Sequence, residues 1–401
     1  MAQTALCPLK LSRAAARPRP RPIPTRLALC GLGGLLASLI LTSCQTVSYY
    51  AQAIHGQGQI LNREEPIATL LANSNTPPAL RAKLQLVLEI RTFAEKELHL
   101  PANGHYLNYA DLGRRYVVWN LHAAPEFSLT PKTWWYPVVG RLSYRGYFSE
   151  PRARSYADRL RAKGYDVYLG GVTAYSTLGW FRDPVLNTFI NDDETDLAEL
   201  LFHELGHQRL FVSGDTEFNE AFATAVAEEG LRRWLESRHD PEATRKYEAE
   251  THRTEEFVHL VVGARDKLEA LYQAAPSAAL PAPSGDSTAQ AAPDLEARMV
   301  ADLRRRKEEI IAELRREYAQ LRERWGGKAD YDRWFAKDLN NAQLNTIETY
   351  YRLVPAFRQI LRARGGDLEA FFKEARALGR MSKSARAAKL AAWSAEASAA
   401  H

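Results

Sequence analysis

Two adjacent helix patterns restrict the fold of this chain more than any other feature. From Thr195 to Leu210, leucines recur at the period of an α-helix, and a second apolar period runs from Phe222 to Leu235. The short segment between them contains Ser213-Gly214-Asp215, a typical turn sequence. Because the connection is so short, we expect two antiparallel helices that pack against each other.

The first of these helices carries the sequence His203-Glu204-Leu205-Gly206-His207. The two histidines are four positions apart, so both imidazoles lie on one helix face and can bind one metal ion. Glu204 lies about 100° further round the helix, where it can take a proton from water without being a ligand. The pattern predicts a Zn²⁺ site with Glu204 as the general base of a hydrolytic reaction.

The third ligand is expected on the second helix. Glu220 follows His207 after a spacer of 12 residues, and an antiparallel pair brings it opposite both histidines. Its Asn-Glu-x-x-Ala setting resembles the gluzincin branch of zinc peptidases, although the spacer is shorter than in well-known gluzincins. The alternative is that these side chains are ordinary polar groups on helix surfaces. Weaker ligand candidates nearby are Asp215, Glu217 and His239.

The N-terminal segment has the pattern of an export signal. Residues 1–43 contain six basic and no acidic residues and include the apolar run Leu27–Leu41, which is shorter than a membrane-spanning helix. The following Leu41-Thr42-Ser43-Cys44 resembles the lipobox of bacterial lipoproteins, which implies lipidation of Cys44 and removal of residues 1–43. Gln45 favours the outer membrane, so we expect a lipid-anchored protein of the cell envelope that faces the periplasm. A plain signal peptide or a short N-terminal anchor is the alternative.

The N-terminal segment explains both the net charge of the chain and the positions of its cysteines. The whole chain has a net charge of +5, which by itself suggests nucleic-acid binding, but loss of residues 1–43 removes six positive charges and leaves −1. We therefore expect no nucleic-acid partner. All three cysteines lie at or before Cys44, so a disulfide within the mature domain is excluded.

The mature chain is expected to be mainly α with a small β-sheet, an α+β fold with a zincin-like active-site helix pair. Helices are expected from residue 44 to about 110 and again from Thr195, and aromatic and β-branched runs between Tyr106 and about residue 190 predict the sheet. We assign residues 44–374 to one metallopeptidase domain. A low-complexity stretch, 274–293, is expected to form a flexible loop, and the Ala/Ser/Lys-rich tail 375–401 is expected to fray.

Longer motifs resemble a known family, the predicted aminopeptidase family of bacterial lipoproteins. This resemblance covers most of the mature chain and implies a zinc metallopeptidase with His203, His207 and Glu220 as ligands and Glu204 as base. The label aminopeptidase comes from the resemblance alone. Motifs that carry the resemblance are Trp119-Asn120, Ala124-Pro125-Glu126, Tyr144-Arg145-Gly146-Tyr147-Phe148, Tyr175–Phe181, Asp183-Pro184, Phe202–Gln208, Asn219-Glu220 and Asn340-Asn341-Ala342.

The expected function is hydrolysis of peptide bonds by metal-activated water, with peptides as substrates. A zinc endopeptidase and a non-catalytic envelope lipoprotein are the alternatives. Tyr175 is a candidate hydrogen-bond donor to the transition-state oxyanion, although core packing is the simpler role for it, and Tyr350 and Tyr351 compete for the donor role. Aminopeptidase action also needs an acidic group for the substrate ammonium. Candidates for that group are Glu217, Asp215 and Asp183.

Overall fold

The computed structural model describes residues 47–136, 140–177, 181–275 and 293–399. The predicted signal segment 1–43 and the predicted lipidation site Cys44 lie outside these residues, as does most of the predicted loop 274–293. From Gln52 onward the chain forms one compact unit. Within the described ranges, no helix is both long enough and apolar enough to cross a lipid bilayer.

Helices dominate the structure. Of the described residues, 63% are helical and the strands form only small sheets, so the predicted fold class is confirmed. The helices are α1 (47–61), α2 (Ile67–Ala72), α3 (Pro78–Lys96), α4 (Glu150–Arg161), α5 (Glu194–Arg209), α6 (Thr216–Arg238), α7 (Pro241–Gln273), α8 (Pro293–Arg324), α9 (Asp332–Phe335), α10 (Asn341–Tyr351), α11 (Val354–Ala363), α12 (Leu368–Gly379) and α13 (Lys383–Ala399).

Within the described residues, the strands form three small sheets where one was expected. Their orders are β1-β2-β8, β6-β3-β7 and β4-β5. Apart from β3 and β7, each strand is only two or three residues long, so each sheet is small. The strands are β1 (Glu64–Pro66), β2 (Asn108–Ala110), β3 (Val118–Pro125), β4 (Trp134–Tyr136), β5 (Gly140–Leu142), β6 (Arg145–Tyr147), β7 (Tyr165–Val172) and β8 (Val185–Leu186).

The longest strand pair, β3 with β7, has two different faces. The strands are antiparallel and stay in register from the pair Val118 and Val172 to the pair Pro125 and Tyr165. Alternate side chains of both strands, among them Val167, pack with α4 in a buried apolar cluster. The other face is turned toward α10, which packs on both strands and also on α6.

Helices α5 and α6 lie in the centre of the largest hydrophobic cluster. This cluster also includes side chains of α3, α11 and α12, and its aromatic members Phe202, Phe222 and Phe357 are fully buried. The expected antiparallel helix pair is therefore held on several sides by apolar packing, which gives its polar side chains fixed positions.

The Ala-rich tail differs from the expectation that it frays. Residues 383–399 form α13, which packs on α11, and Leu390 is only 1% exposed. The physical reason is a long-range ion pair. Arg386, itself buried, donates from Nε and Nη2 to Asp215 at 2.9 and 2.6 Å. The burial of Leu390 and of the neutralised Arg386 stabilises α13, although the apolar pattern of its sequence is weak.

Candidate metal centre

Three side chains converge where α5 and α6 face each other. His203 and His207 project from the same face of α5, and Glu220 projects from the second turn of α6. Glu220 Oε2 lies 3.3 Å from His203 Nε2 and 3.6 Å from His207 Nε2. The ligand atoms of all three lie within 4.8 Å of one another, so the group can hold a metal ion.

Two of the donor separations are close to those around a tetrahedral metal ion. Zn²⁺ binds His nitrogen and carboxylate oxygen at about 2.0–2.1 Å, which puts two tetrahedral donors about 3.3 Å apart. The distances from Glu220 to both histidines are near this value and longer than a good hydrogen bond between ionised groups. The exposed side-chain fractions of His203 and Glu220 are 19% and 12%, so the site is enclosed but still open on the side of His203.

A tight turn between α5 and α6 allows the short spacer between His207 and Glu220 to bring Glu220 opposite the histidines. Gly214 adopts a φ of +77°, in the left-handed region that glycine enters without strain. Asp215 caps the N-terminus of α6 by accepting a hydrogen bond from the Phe218 amide. Asn219 locks the turn from the other side, because its amide both accepts from Val212 N at 2.7 Å and donates to Val212 O at 2.8 Å. These contacts fix the start of α6 and hence the position of Glu220.

Gly206, between the two ligands of α5, allows the helices to approach closely. A Cβ atom at this position would lie 3.3 Å from Ala223 Cα and 3.6 Å from Ala223 Cβ. Any larger residue would therefore push α6 away from α5. The glycine, an unusual feature of the motif in this sequence, sets the distance across which Glu220 meets the histidines.

The charges of the three ligand residues complement one another. Burial raises the pKa of Glu220, but the facing imidazoles of His207 and His203 outweigh this effect and bring the pKa well below its ordinary value. Burial lowers the pKa of His207, whereas Glu220 and then Glu204 raise it, with a net increase. The acid is therefore ionised, as a metal ligand must be.

Glu204 lies next to this triad without belonging to it. Burial raises its pKa above the ordinary value, and the nearby Glu220 and Asp183 add to this, while His203 and His207 act in the opposite direction. The helical angle between Glu204 and His203 predicts such a position outside the ligand set. A carboxyl group in such surroundings can both accept and return a proton.

The three weaker ligand candidates have other surroundings. Asp215 is buried and paired with Arg386. His239 ends α6 in the left-handed conformation, and Glu217 is a half-buried residue in the first turn of that helix. Among the described residues, the only group placed to share a metal ion is the one formed by His203, His207 and Glu220.

The three candidate tyrosines lie at different places. Of the three tyrosines, Tyr350 of α10 is the one on which the charged triad acts most strongly. The negative charge of Glu220, together with burial, raises the pKa of Tyr350 well above the ordinary value. Tyr351 is affected by burial and by Tyr331 instead. Tyr175 follows β7 and packs against the main core, with its ring 5.4 Å from that of Phe148.

Asp183 holds the segment after β7 in place. Its carboxylate accepts hydrogen bonds from Thr177 Oγ1 at 2.6 Å, Thr177 N at 3.1 Å and Ser176 Oγ at 3.3 Å. Ser176 also accepts a hydrogen bond from Gln208, the residue that follows the second histidine of α5. Asp183 therefore fixes this segment beside α5, and its oxygens are engaged by these donors.

Sequence reasoning missed Glu199, which lies on α5 one turn before His203. The spacing of four residues puts both side chains on the same helix face, and this spacing was the signal that could have revealed it. Burial, together with the charge of Glu228, raises the pKa of Glu199 to about 7. Arg358 neutralises Glu228 and also pairs with Glu255, whereas Glu199 has no ion pair with any described residue.

A mainly helical fold presents a triad of two histidines and one glutamate on a hairpin of two helices, a candidate mononuclear metal site with an HExxH sequence. The model of the family described as "Putative aminopeptidase" matches residues 48–390, and the chain belongs to this family. No curated protein and no solved structure matches the chain significantly. Membership of the family supports a peptidase function at a coarse level.

Proposed function

We propose that the protein is a zinc-dependent aminopeptidase in which Glu204 is the general base. The observation that carries this proposal is the convergence of His203, His207 and Glu220 beside Glu204 on one helix pair, with donor spacings that suit Zn²⁺. Two neutral nitrogens and one carboxylate leave a coordination position open, as in catalytic rather than structural zinc sites.

Different residues of the chain have different roles in the reaction. A bound Zn²⁺ supplies a Lewis acid that polarises the scissile carbonyl and lowers the pKa of water. Glu204 accepts the proton of the attacking water and returns it to the leaving amine, a role for which its raised pKa is suitable. Tyr350, whose pKa is raised chiefly by the negative charge of Glu220, is the first candidate to donate a hydrogen bond to the developing oxyanion, and Tyr175 is the second.

Action at the amino terminus requires an anionic group for the substrate ammonium. Asp183 and Asp215, two of the three candidates from the sequence, are engaged by other donors. Glu199 is better suited, because it lies on the His203 face of α5 and Arg358 pairs with the neighbouring Glu228 instead of with Glu199. An ammonium bound there would ionise Glu199 and form the ion pair that this carboxyl group lacks.

We also propose that Cys44 carries a lipid anchor. The anchor would hold the protein at the outer membrane, facing the periplasm. Their support is the lipobox-like sequence before Cys44. Mass spectrometry of the mature N-terminal peptide is the test, with Cys44→Ser as control. An unmodified mature N-terminus that starts at another residue would contradict the anchor.

The test of the proposed function uses Glu204→Gln, which keeps the shape of the side chain and removes its basicity. We expect one Zn²⁺ per chain in both proteins, and a loss of peptide hydrolysis of about 10²- to 10⁴-fold in the variant. His207→Ala serves as the matched variant that loses the metal as well. Absence of stoichiometric metal, or full activity of Glu204→Gln, would favour a non-catalytic envelope lipoprotein.

Peptides with free and acetylated amino termini separate exopeptidase from endopeptidase action. An aminopeptidase cleaves only the free peptides, and Glu199→Gln should raise KM for them. If acetylated peptides are cleaved equally well, the endopeptidase alternative is correct and Glu199 has no role in recognition.

A further inference from the structure

The sheet face opposite the α4 cluster carries an unusual group of rings. His122 of β3 is the register partner of Tyr168 on β7, and their ring centroids are 6.1 Å apart. Tyr144, just before β6, brings a third ring to within 5.8 Å of His122. These three side chains therefore form one aromatic row across all three strands of the sheet, which we call the ring row.

The ring row is not part of the protein core. Within the described part of the chain, none of its three rings belongs to a buried hydrophobic cluster, and each is partly exposed. Aromatic rings that support only the fold are normally packed into such clusters. Partly exposed aromatic rings gathered around an imidazole are typical of a surface that receives a ligand.

The neighbouring positions on the same face are two glycines and an amide. Asn120, two residues before His122, has Gly146 and Gly170 as its register partners on the two flanking strands. A Cβ atom at Gly170 would lie 3.2 Å from the Tyr168 ring, and one at Gly146 would lie 3.1 Å from Val118 Cγ1 and 3.3 Å from Asn120 Oδ1. The two glycines thus make room for the side chains of the sheet itself, and the partly exposed amide of Asn120 lies beside the ring row.

The ring row and the candidate metal centre have α10 as a common neighbour. The sheet face packs on α10, which packs in turn on α6, the helix of Glu220. In addition, Glu220 partly opposes the effect of burial, which lowers the pKa of His122 to about 4. Tyr350 is affected by both regions, because Glu220 of the triad and Tyr144 of the ring row both raise the pKa of its hydroxyl.

Tyr168 is held in a fixed orientation from outside. The ammonium of Lys337 lies 4.5 Å from the ring centroid and donates a hydrogen bond to Tyr168 Oη at 3.2 Å. A ring that is restrained before a ligand arrives loses little conformational freedom on binding.

We propose that the ring row is the recognition subsite for an aromatic side chain of the peptide substrate, next to the bond that is cleaved. This inference rests on the proposed peptidase function and adds a substrate preference to it. An aromatic side chain can pack edge-to-face against His122, Tyr144 and Tyr168. The partly exposed amide of Asn120 lies beside these rings on the same face and can bond to the substrate backbone.

The test compares two substitutions on the same strand. Tyr168→Leu removes a ring of the row, while Tyr165→Leu removes a ring that packs against the α4 side of the sheet. Aminoacyl 4-nitroanilides of phenylalanine, tyrosine, leucine and alanine serve as substrates. We expect the phenylalanine-to-alanine ratio of kcat/KM to fall about 3- to 10-fold in Tyr168→Leu, and to remain unchanged in Tyr165→Leu.

A binding measurement separates failure of this inference from failure of the proposed function. Glu204→Gln is titrated by calorimetry with phenylalanyl-alanine and alanyl-alanine, with and without Tyr168→Leu. Tighter binding of the aromatic dipeptide that depends on Tyr168 supports the subsite even if no anilide is hydrolysed. An unchanged kcat/KM ratio in Tyr168→Leu, or equal affinity for both dipeptides, overturns the subsite and leaves the peptidase proposal intact.

Discussion

The ion pair between Asp215 and Arg386 joins the start of a metal-site helix to the last helix of the chain, and its loss should be costly. Both side chains are buried, with exposed fractions of 7% and 5%. The guanidinium also donates to the carbonyl groups of Gly379 and Met381 at 3.0 and 3.2 Å. Arg386→Met keeps most of the volume but leaves the buried carboxylate with only the exposed Lys383, 3.9 Å away, as a charged partner.

The magnitude follows from these contacts. Removal of one member of a buried ion pair costs about 3–5 kcal/mol, because the remaining charge stays in a medium of low polarity. We therefore expect the free energy of unfolding of Arg386→Met to fall by about this amount. In the double variant with Asp215→Asn the remaining group is neutral, so part of the loss should be recovered, with a coupling energy of about 1–3 kcal/mol.

Urea denaturation with a chelator present measures this effect without a contribution from bound metal. Arg376→Met, at an exposed position of α12, is the matched control and should change stability by less than about 0.5 kcal/mol. A loss below about 1 kcal/mol for Arg386→Met, or no recovery with Asp215→Asn, would refute the conclusion that this pair is buried and unscreened.

Three further predictions concern single side chains. Because the folded protein raises the pKa of Glu199 from 4.5 to about 7, it binds a proton more tightly than the unfolded chain. The free energy of unfolding of the metal-free protein should therefore fall between about pH 4.5 and 7, by at most about 3 kcal/mol, and Glu199→Gln should flatten this part of the urea-derived stability profile. Tyr350→Phe should lower kcat about 10- to 100-fold with little change in KM, and Tyr175→Phe should have no such effect, whereas the reverse result would assign the donor role to Tyr175. Asp183→Asn should loosen residues 175–177, which hydrogen exchange and limited proteolysis would detect as faster exchange and cleavage there; unchanged exchange would contradict the role given to its carboxylate.

The convergence of the three candidate ligand residues was predictable because it depends on local geometry. The separation of His203 and His207 determines their common face through the helical period alone, and Gly214 indicates a turn short enough to bring Glu220 opposite them. Each of these signals lies within a few residues of the side chain that it positions. The helical fold class follows from the same kind of short-range periodicity.

What sequence reasoning missed depends on contacts between distant segments. The order of α13 depends on a bond between residues 171 positions apart, which the composition of an alanine-rich tail cannot reveal. Likewise, β2 pairs in parallel with β8, although Tyr109 and Val185 are far apart in the chain. The ring row requires three strands to align, and no single strand contains its pattern.

The contact between Gly206 and Ala223 has a consequence for the choice of ion. The main chains of two helices meet there, so the cavity between the donor atoms cannot widen without separating the whole hairpin. Ca²⁺ needs about six to eight oxygen ligands at about 2.3–2.6 Å, which this narrow gap with two nitrogen donors cannot supply. Gly206, which lies outside the triad, thus limits how far apart the three candidate donor groups can move.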